Sequence, residues 1–243
     1  MPSIPISITG FFEEGIMFTF TPADFEAVAL SGKVALMATV ISLPFGFAIA
    51  YVMTWIRFRG KALVEVLLNL PLTLPPVVIG YFLLLLLGKE GWVGSFLDQF
   101  GIRVIFSLKA AVIASSVVGF PLLVRSIRIG MESIDPKLIQ ASRTLGAKWY
   151  DATLTVILPL SLTGILAGSS LMFARSLGEF GATIIVAGNM PGVTQTIPLA
   201  IYDYASSPRG GPMALSLCII AATISMGVLF LHEFLARKLV RRD

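Results

Sequence analysis

Five stretches of this chain, at 27–56, 62–87, 104–124, 155–187 and 213–235, are apolar and long enough to cross a lipid bilayer as helices. A crossing takes about 20 mainly apolar residues. No other feature limits the fold as strongly. In hydrocarbon, every backbone amide and carbonyl must be satisfied within the structure, so such runs form helices. The expected fold class is all-α, a polytopic transmembrane bundle. Composition agrees: 56% of residues are hydrophobic and 13% are charged, against about 25% charged in soluble domains. So little polar surface cannot cover a water-exposed shell. The fourth run would reach about 50 Å as one straight helix. It also contains Arg175, Glu179 and the pair Gly178/Gly181. It is expected to break into a full helix and a shorter, partly re-entrant one, giving five to six spans within a single domain over 1–243.

The net charge of +4 does not point to nucleic acid, because the basic residues sit at the ends of apolar runs. Arg57, Arg59 and Lys61 separate runs one and two. Arg125, Arg128, Lys137, Arg143 and Lys148 separate runs three and four, and Arg237, Lys238, Arg241 and Arg242 follow the fifth. Lys89, Arg103, Lys109 and Arg209 fall on the other side. Short cytoplasmic loops collect Lys and Arg, so the first set is placed in the cytoplasm with the C-terminus, and the N-terminus outside. Residues 1–10 lack a basic stretch followed by an apolar core, so the first span is expected to act as an uncleaved insertion signal. Cys218 is the single cysteine and His232 the single histidine. They leave no disulfide, metal cluster or nucleophile–base pair to propose. His232 reads as a capping or interface residue.

The segment 133–159 reads SIDPKLIQASRTLGAKWYDATLTVILP. Asp135 before Pro136 is a helix start, since the carboxylate caps free amides and Pro suits the first turn. Gly146 is a natural stop. Leu138, Ala141, Ser142 and Leu145 fall on one face at helical spacing, flanked by Lys137, Arg143 and Lys148. On pattern alone this is either an amphipathic helix lying on lipid headgroups or a docking element whose small residues admit another surface.

Within the apolar runs, Pro71, Pro75 and Pro76 remove amide donors at membrane depth, where freed carbonyls need protein or water. They read either as a structural kink or as an irregular segment lining a path. Arg175 and Glu179, four apart, can pair on one helix face, as a structural or gating pair or as groups touching a substrate. Gly164/Gly168 and the row Ala111, Ser115, Gly119 permit close helix approach, within one subunit or at a seam between two. Glu65, Asn69 and Lys109 receive no role.

The words of these segments resemble a known family. Gln140-Ala141-Ser142, then Gly146 and then Val156-Ile157-Leu158-Pro159 is similar to the loop of ABC importer permeases that reads Glu-Ala-Ala, three residues, Gly, nine residues, Ile, any residue, Leu-Pro. Gln140, Ser142 and Val156 depart from it; the spacing is intact. The stretch 69–81, with Pro75 and Pro76, and the stretch 173–183, with Arg175 and Glu179, resemble molybdate-type permeases, with sulfate permeases nearest. The similarity runs over about 24–236. It implies a type I importer permease fold in a bacterial or archaeal inner (plasma) membrane and a cargo of molybdate or tungstate. Sulfate or another oxyanion is the alternative. It implies a transport subunit without catalysis or cofactor, paired with a second copy as a homodimer. Two copies of a separate ATP-binding subunit would grip the 133–159 loop through Asp135, Leu138, Gln140, Ala141, Ser142, Leu145 and Gly146. An extracytoplasmic oxyanion-binding protein would deliver cargo, and membrane lipid would surround the spans. Pro75, Pro76, Arg175 and Glu179 would belong to the path or gate. The chain carries no GxxxxGK[ST] phosphate loop, which agrees with a separate ATPase. The rival of another class is a passive channel or ion-coupled carrier.

Overall fold

The computed structural model describes residues 21–208 and 210–240, with side chains through Phe234. The readings placed on 1–10, on Arg209 and on the basic C-terminal side chains lie outside what it describes.

The order along the chain is α1 (Pro22–Trp55), α2 (Lys61–Thr73), α3 (Pro76–Leu87), α4 (Trp92–Asp98), α5 (Leu108–Glu132) and α6 (Pro136–Thr144). Then follow α7 (Trp149–Leu160), α8 (Leu162–Leu177), α9 (Gly181–Ala187), α10 (Ile197–Ala205) and α11 (Gly211–Val240). Among the described residues, only α1, α5 and α11 are single helices long and apolar enough to cross a membrane. The second run, read as one crossing, is broken: α2 and α3 meet at a 113° bend. Pro75 cannot donate a backbone bond, and its ring disfavours the helical conformation of Leu74 before it; Leu74 is extended. The fourth run breaks twice, by 66° between α7 and α8 and again at Gly178. The bundle reaches five crossings if each bent pair counts as one. α9, with seven residues, is too short to add a sixth.

α5 is the central post. It packs against α1, α2, α3, α8 and α9, and 61% of its most apolar window is buried, against 17% for α11. Lipid is as apolar as leucine, so helices in a membrane associate by close packing of small residues. α1 obeys this: Ala27, Ser31, Ala35, Ala38, Ser42, Gly46 and Ala50 face inward, while Leu36, Val40, Ile41 and Phe45 are exposed to the surroundings. α8 runs antiparallel to α5 at backbone contact. A Cβ on Gly164 would fall 2.7 Å from Ser126 O and 2.9 Å from Gly130 Cα, and one on Gly168 would fall 2.9 Å from Leu123 O. The glycine row therefore packs within one subunit. Ala111 and Ser115 are buried on the same post, and a Cβ on Gly119 would meet Met172 at 3.0 Å. At the far end, Asp24 Oδ2 accepts from Thr21 N at 2.7 Å and Asp24 Oδ1 accepts from Tyr204 OH at 2.8 Å, which ties α10 to the start of α1.

Two glycine substitutions separate packing from propensity. Alanine in an open helix position gains about 0.5–1 kcal/mol over glycine. Gly227, with nothing within 4 Å of its built Cβ, becomes more stable as Gly227→Ala. Gly164→Ala meets backbone atoms that cannot rotate away, so it loses about 1–3 kcal/mol. Melting temperatures of the purified protein in detergent move in opposite directions for the two.

Candidate functional site

Two regions collect the residues singled out in the sequence. The first is α6 with its flanks. Asp135 Oδ1 accepts from Lys137 N at 2.9 Å and Pro136 takes the first turn. The helix ends at Thr144. Gly146 then takes φ +90°, the left-handed region in which a Cβ is strained. Gly146 N donates to Arg143 O and Ala147 N to Ser142 O, closing the last turn. Ile139, which the sequence reading passed over, is the anchor. It is buried in the core that Tyr51 and Trp55 of α1 and Ile157 of α7 share. The opposite face is bare. Leu145 is 89% exposed and Leu138 49%, with Gln140 and Ala141 also exposed and Ser142 half-buried. A narrow groove of about 200 Å³ separates α6 from the foot of α1, with Trp55, Gln140 and Arg143 on its walls.

α7 links this helix to the bundle and contains a π-helical turn, Thr153–Ile157. Leu158 N donates to Thr153 O, five residues back. Pro159 supplies no amide, and its ring needs room beside the preceding turn; a widened turn provides it.

The second region is where α3 and α9 begin. Arg175 Nη1 lies 2.7 Å from Glu179 Oε2, with Glu179 buried and Arg175 about one-third exposed. The other oxygen, Glu179 Oε1, accepts from Ala182 N at 2.8 Å. One carboxylate thus caps the first turn of α9 and neutralises an arginine on α8 across the break. This capping role carried no local signal beyond the i, i+4 spacing. A Cβ on Gly181 would meet Pro76 Cβ at 3.0 Å, and one on Gly80 would meet Ala182 Cα at 2.9 Å. The structure therefore brings together the starts of two half-helices about a hundred residues apart in sequence. Pro76 is half-buried and Pro75 exposed at this junction. The hydroxyls of Ser176 and Thr183, on either side of the α8–α9 break, are buried without a hydrogen-bond partner. Such a group costs about 1–3 kcal/mol.

Glu65 received no role from the sequence, yet it holds α2 to α5. Arg128 Nη1 lies 2.8 Å from Glu65 Oε1 and Arg128 Nε 2.6 Å from Glu132 Oε1. The pair sits in a cavity of about 410 Å³ that Asn69 and Arg125 also line. The i, i+4 spacing of Arg128 and Glu132 was readable; the partner 63 positions away was not. Among the described residues no three His, Cys, Asp or Glu side chains converge as a metal site would need.

Residues 42–241 match the family described as the binding-protein-dependent transport system inner membrane component. The chain is 49% identical to the molybdenum transport system permease protein ModB of Escherichia coli K12, over 89% of this chain and 95% of that one. It is 46% identical to ModB of Haemophilus influenzae, over 90% and 96%. It is 34% identical to the sulfate transport system permease protein CysW of Synechocystis, over 88% and 77%. Among solved structures, a chain of the MetNI methionine ABC transporter in an inward-facing conformation superposes with a TM-score of 0.66 at 18% identity, covering 93% of this chain and 98% of that one; this likeness concerns the fold. On the family match over 42–241 and the 49% identity over most of both chains, this chain is a member of the binding-protein-dependent transport system inner membrane component family.

Proposed function

We propose that the chain is the membrane-spanning permease of an ATP-driven importer for molybdate or tungstate, working as one transmembrane domain in a homodimer. The 49% identity to a molybdenum permease over nearly the full length carries the choice of cargo. The weaker 34% match to a sulfate permease keeps sulfate as the second reading. Family membership favours this function over a passive channel or an ion-coupled carrier. α6 and the C-terminus face the cytoplasm, where Arg57, Arg59 and Lys61 also cluster. An extracytoplasmic binding protein delivers the anion at the α4 end. The chain catalyses nothing itself; ATP is hydrolysed by two copies of a separate subunit.

The working parts follow from the geometry. The exposed face of α6, with Leu138, Ala141 and Leu145, enters a cleft on the ATP-binding subunit. Asp135 and Gly146 set the two ends of that helix, while Gln140 and Ser142 flank the contact. Ile139 keeps α6 fixed to α1 and α7, so movement of the ATPase passes through α7 into α8. At the end of α8 the Arg175–Glu179 pair carries it to α9, and α9 bears on α3 through Gly80 and Ala182. Pro75 and Pro76 form the joint of α3. Two half-helices that shift together gate the path, and the unpaired hydroxyls of Ser176 and Thr183 gain partners in the other state. An arginine paired with a buried carboxylate offers a passing oxyanion little net attraction, which suits a gate better than a binding site.

Leu145→Asp places a charge on the docking face without touching the core. The ATP-binding subunit then fails to copurify and uptake falls at least about tenfold, the effect of roughly 1.4 kcal/mol, at unchanged membrane levels. Retained copurification and uptake would remove α6 from the coupling role.

At the gate, Arg175→Ala strands a buried carboxylate and costs about 3–5 kcal/mol. Glu179→Gln added to it relieves that charge while keeping an acceptor for Ala182 N, so thermal stability recovers but uptake does not. Recovery of both would make the pair a stability element only.

Cargo is settled by uptake in cells carrying the intact transporter. Labelled molybdate is taken up, excess tungstate competes, and excess sulfate does not. Competition by sulfate at equal concentration would favour the second reading.

A further inference from the structure

At the end of the bundle opposite α6, the connection from α3 to α5 is not an ordinary polar loop. It folds as α4, whose backbone is pressed onto the end of α3: a Cβ on Gly94 would collide with Gly88 O. Four of the connection's aromatic side chains are unshielded. Trp92 is 90% exposed, Phe96 58%, Phe100 66% and Phe106 60%, and Phe96 and Phe100 meet edge to face at 5.3 Å. Phe106 holds a left-handed φ of +57°, which is costly for an aromatic residue. Its amide is fixed by a bond to Val186 O at 2.9 Å. In water such a surface would collapse or aggregate. At the level where spanning helices end, Trp and other aromatic side chains are at home.

Beneath this surface lies a cavity of about 460 Å³. Leu84 and Leu87 of α3, with Ile102, Ile105 and Phe106, form its apolar wall, and Lys89, Arg103 and Asp98 stand on its polar side. Asp98 engages Arg103 only loosely, at 3.6 Å with both groups exposed, and Lys89 makes no ion pair among the described residues. An apolar pocket with a cationic rim, lying where an apolar helix ends at Leu87, suits an acyl chain joined to a phosphate. We propose that this cavity is a phospholipid site, holding an acyl chain against Leu84, Leu87 and Ile105 and the phosphodiester between Lys89 and Arg103. A water-soluble partner docking at this end of the bundle would leave the cavity's wall of Leu84, Leu87, Ile102 and Ile105 unfilled, whereas an acyl chain fills it. The site pins α4 to the bilayer and steadies the end of α3, whose other end is the joint at Pro76.

The test reads lipid binding, so it does not depend on the transport cargo. The full chain contains three tryptophans. Trp55→Phe and Trp149→Phe leave Trp92 as the sole reporter. In detergent, phosphatidylglycerol brominated on its acyl chains is expected to quench Trp92 saturably, and glycerol phosphate is not expected to compete. Lys89→Glu with Arg103→Glu weakens the binding about tenfold or more, as the loss of two interfacial cations predicts. Leu84→Phe fills the apolar part with the charges intact and weakens it as well. Each variant is compared at equal monodispersity on gel filtration. Quenching that never saturates, or that is unchanged in both variants, overturns the site and leaves only general immersion in lipid.

Discussion

Gly164 and Gly130 bring α8 and α5 together with no side chain between them, and the rest of the bundle is arranged around that line. Two helices at backbone distance cannot slide without separating first, so they act as one rigid pair. α1 lies against both through its own small-residue stripe, and α9 leans on α5. Membrane helices have no hydrophobic force drawing them together, so contact this close is their main source of cohesion. Small residues at these contacts leave large apolar side chains such as Leu36, Phe45 and Phe230 exposed, while Leu123, Ile127, Met131 and Met172 fill the space between the helices.

Against this rigid pair, the irregular segments stand out by how their polar groups are satisfied. A break in a helix at membrane depth frees amides and carbonyls that lipid cannot solvate. At the α8–α9 break one of these amides is met by Glu179, whose own charge is met by Arg175. At the α2–α3 break the prolines limit the problem by having no amide to leave unsatisfied. Both breaks are close to each other, and both begin a half-helix. The part of the fold least able to stay regular is thus gathered at one place, beside the part least able to move.

Much of this was readable from residues. The five apolar runs, the Asp135-Pro136 start, the stop at Gly146 and the Arg175–Glu179 pair each follow from local chemistry. The hidden parts share a physical cause. Hydrophobic length cannot distinguish a straight helix from one bent by 113°, because both keep the same residues in lipid; only the three prolines hinted at it. Ile139 was missed because one buried isoleucine in a short polar helix breaks no pattern. Glu65 and Arg128 are 63 positions apart, and no local period encodes a contact that only the bundle creates. Likewise, the row at Gly164 and Gly168 was compatible with a seam inside or between subunits until Gly130 appeared opposite it.

The π-helical turn at Thr153–Ile157 bears on how the chain tolerates changes of length. Each residue of an α-helix advances the heading by about 100°. One residue more or fewer inside α7 would therefore swing α6 around the axis by more than a quarter of a circle and aim Leu145 at a different quarter of the compass. Most loops at a membrane surface accept insertions and deletions freely. In this one the count of residues between α6 and α8 is itself information, a dial setting held by a single widened turn.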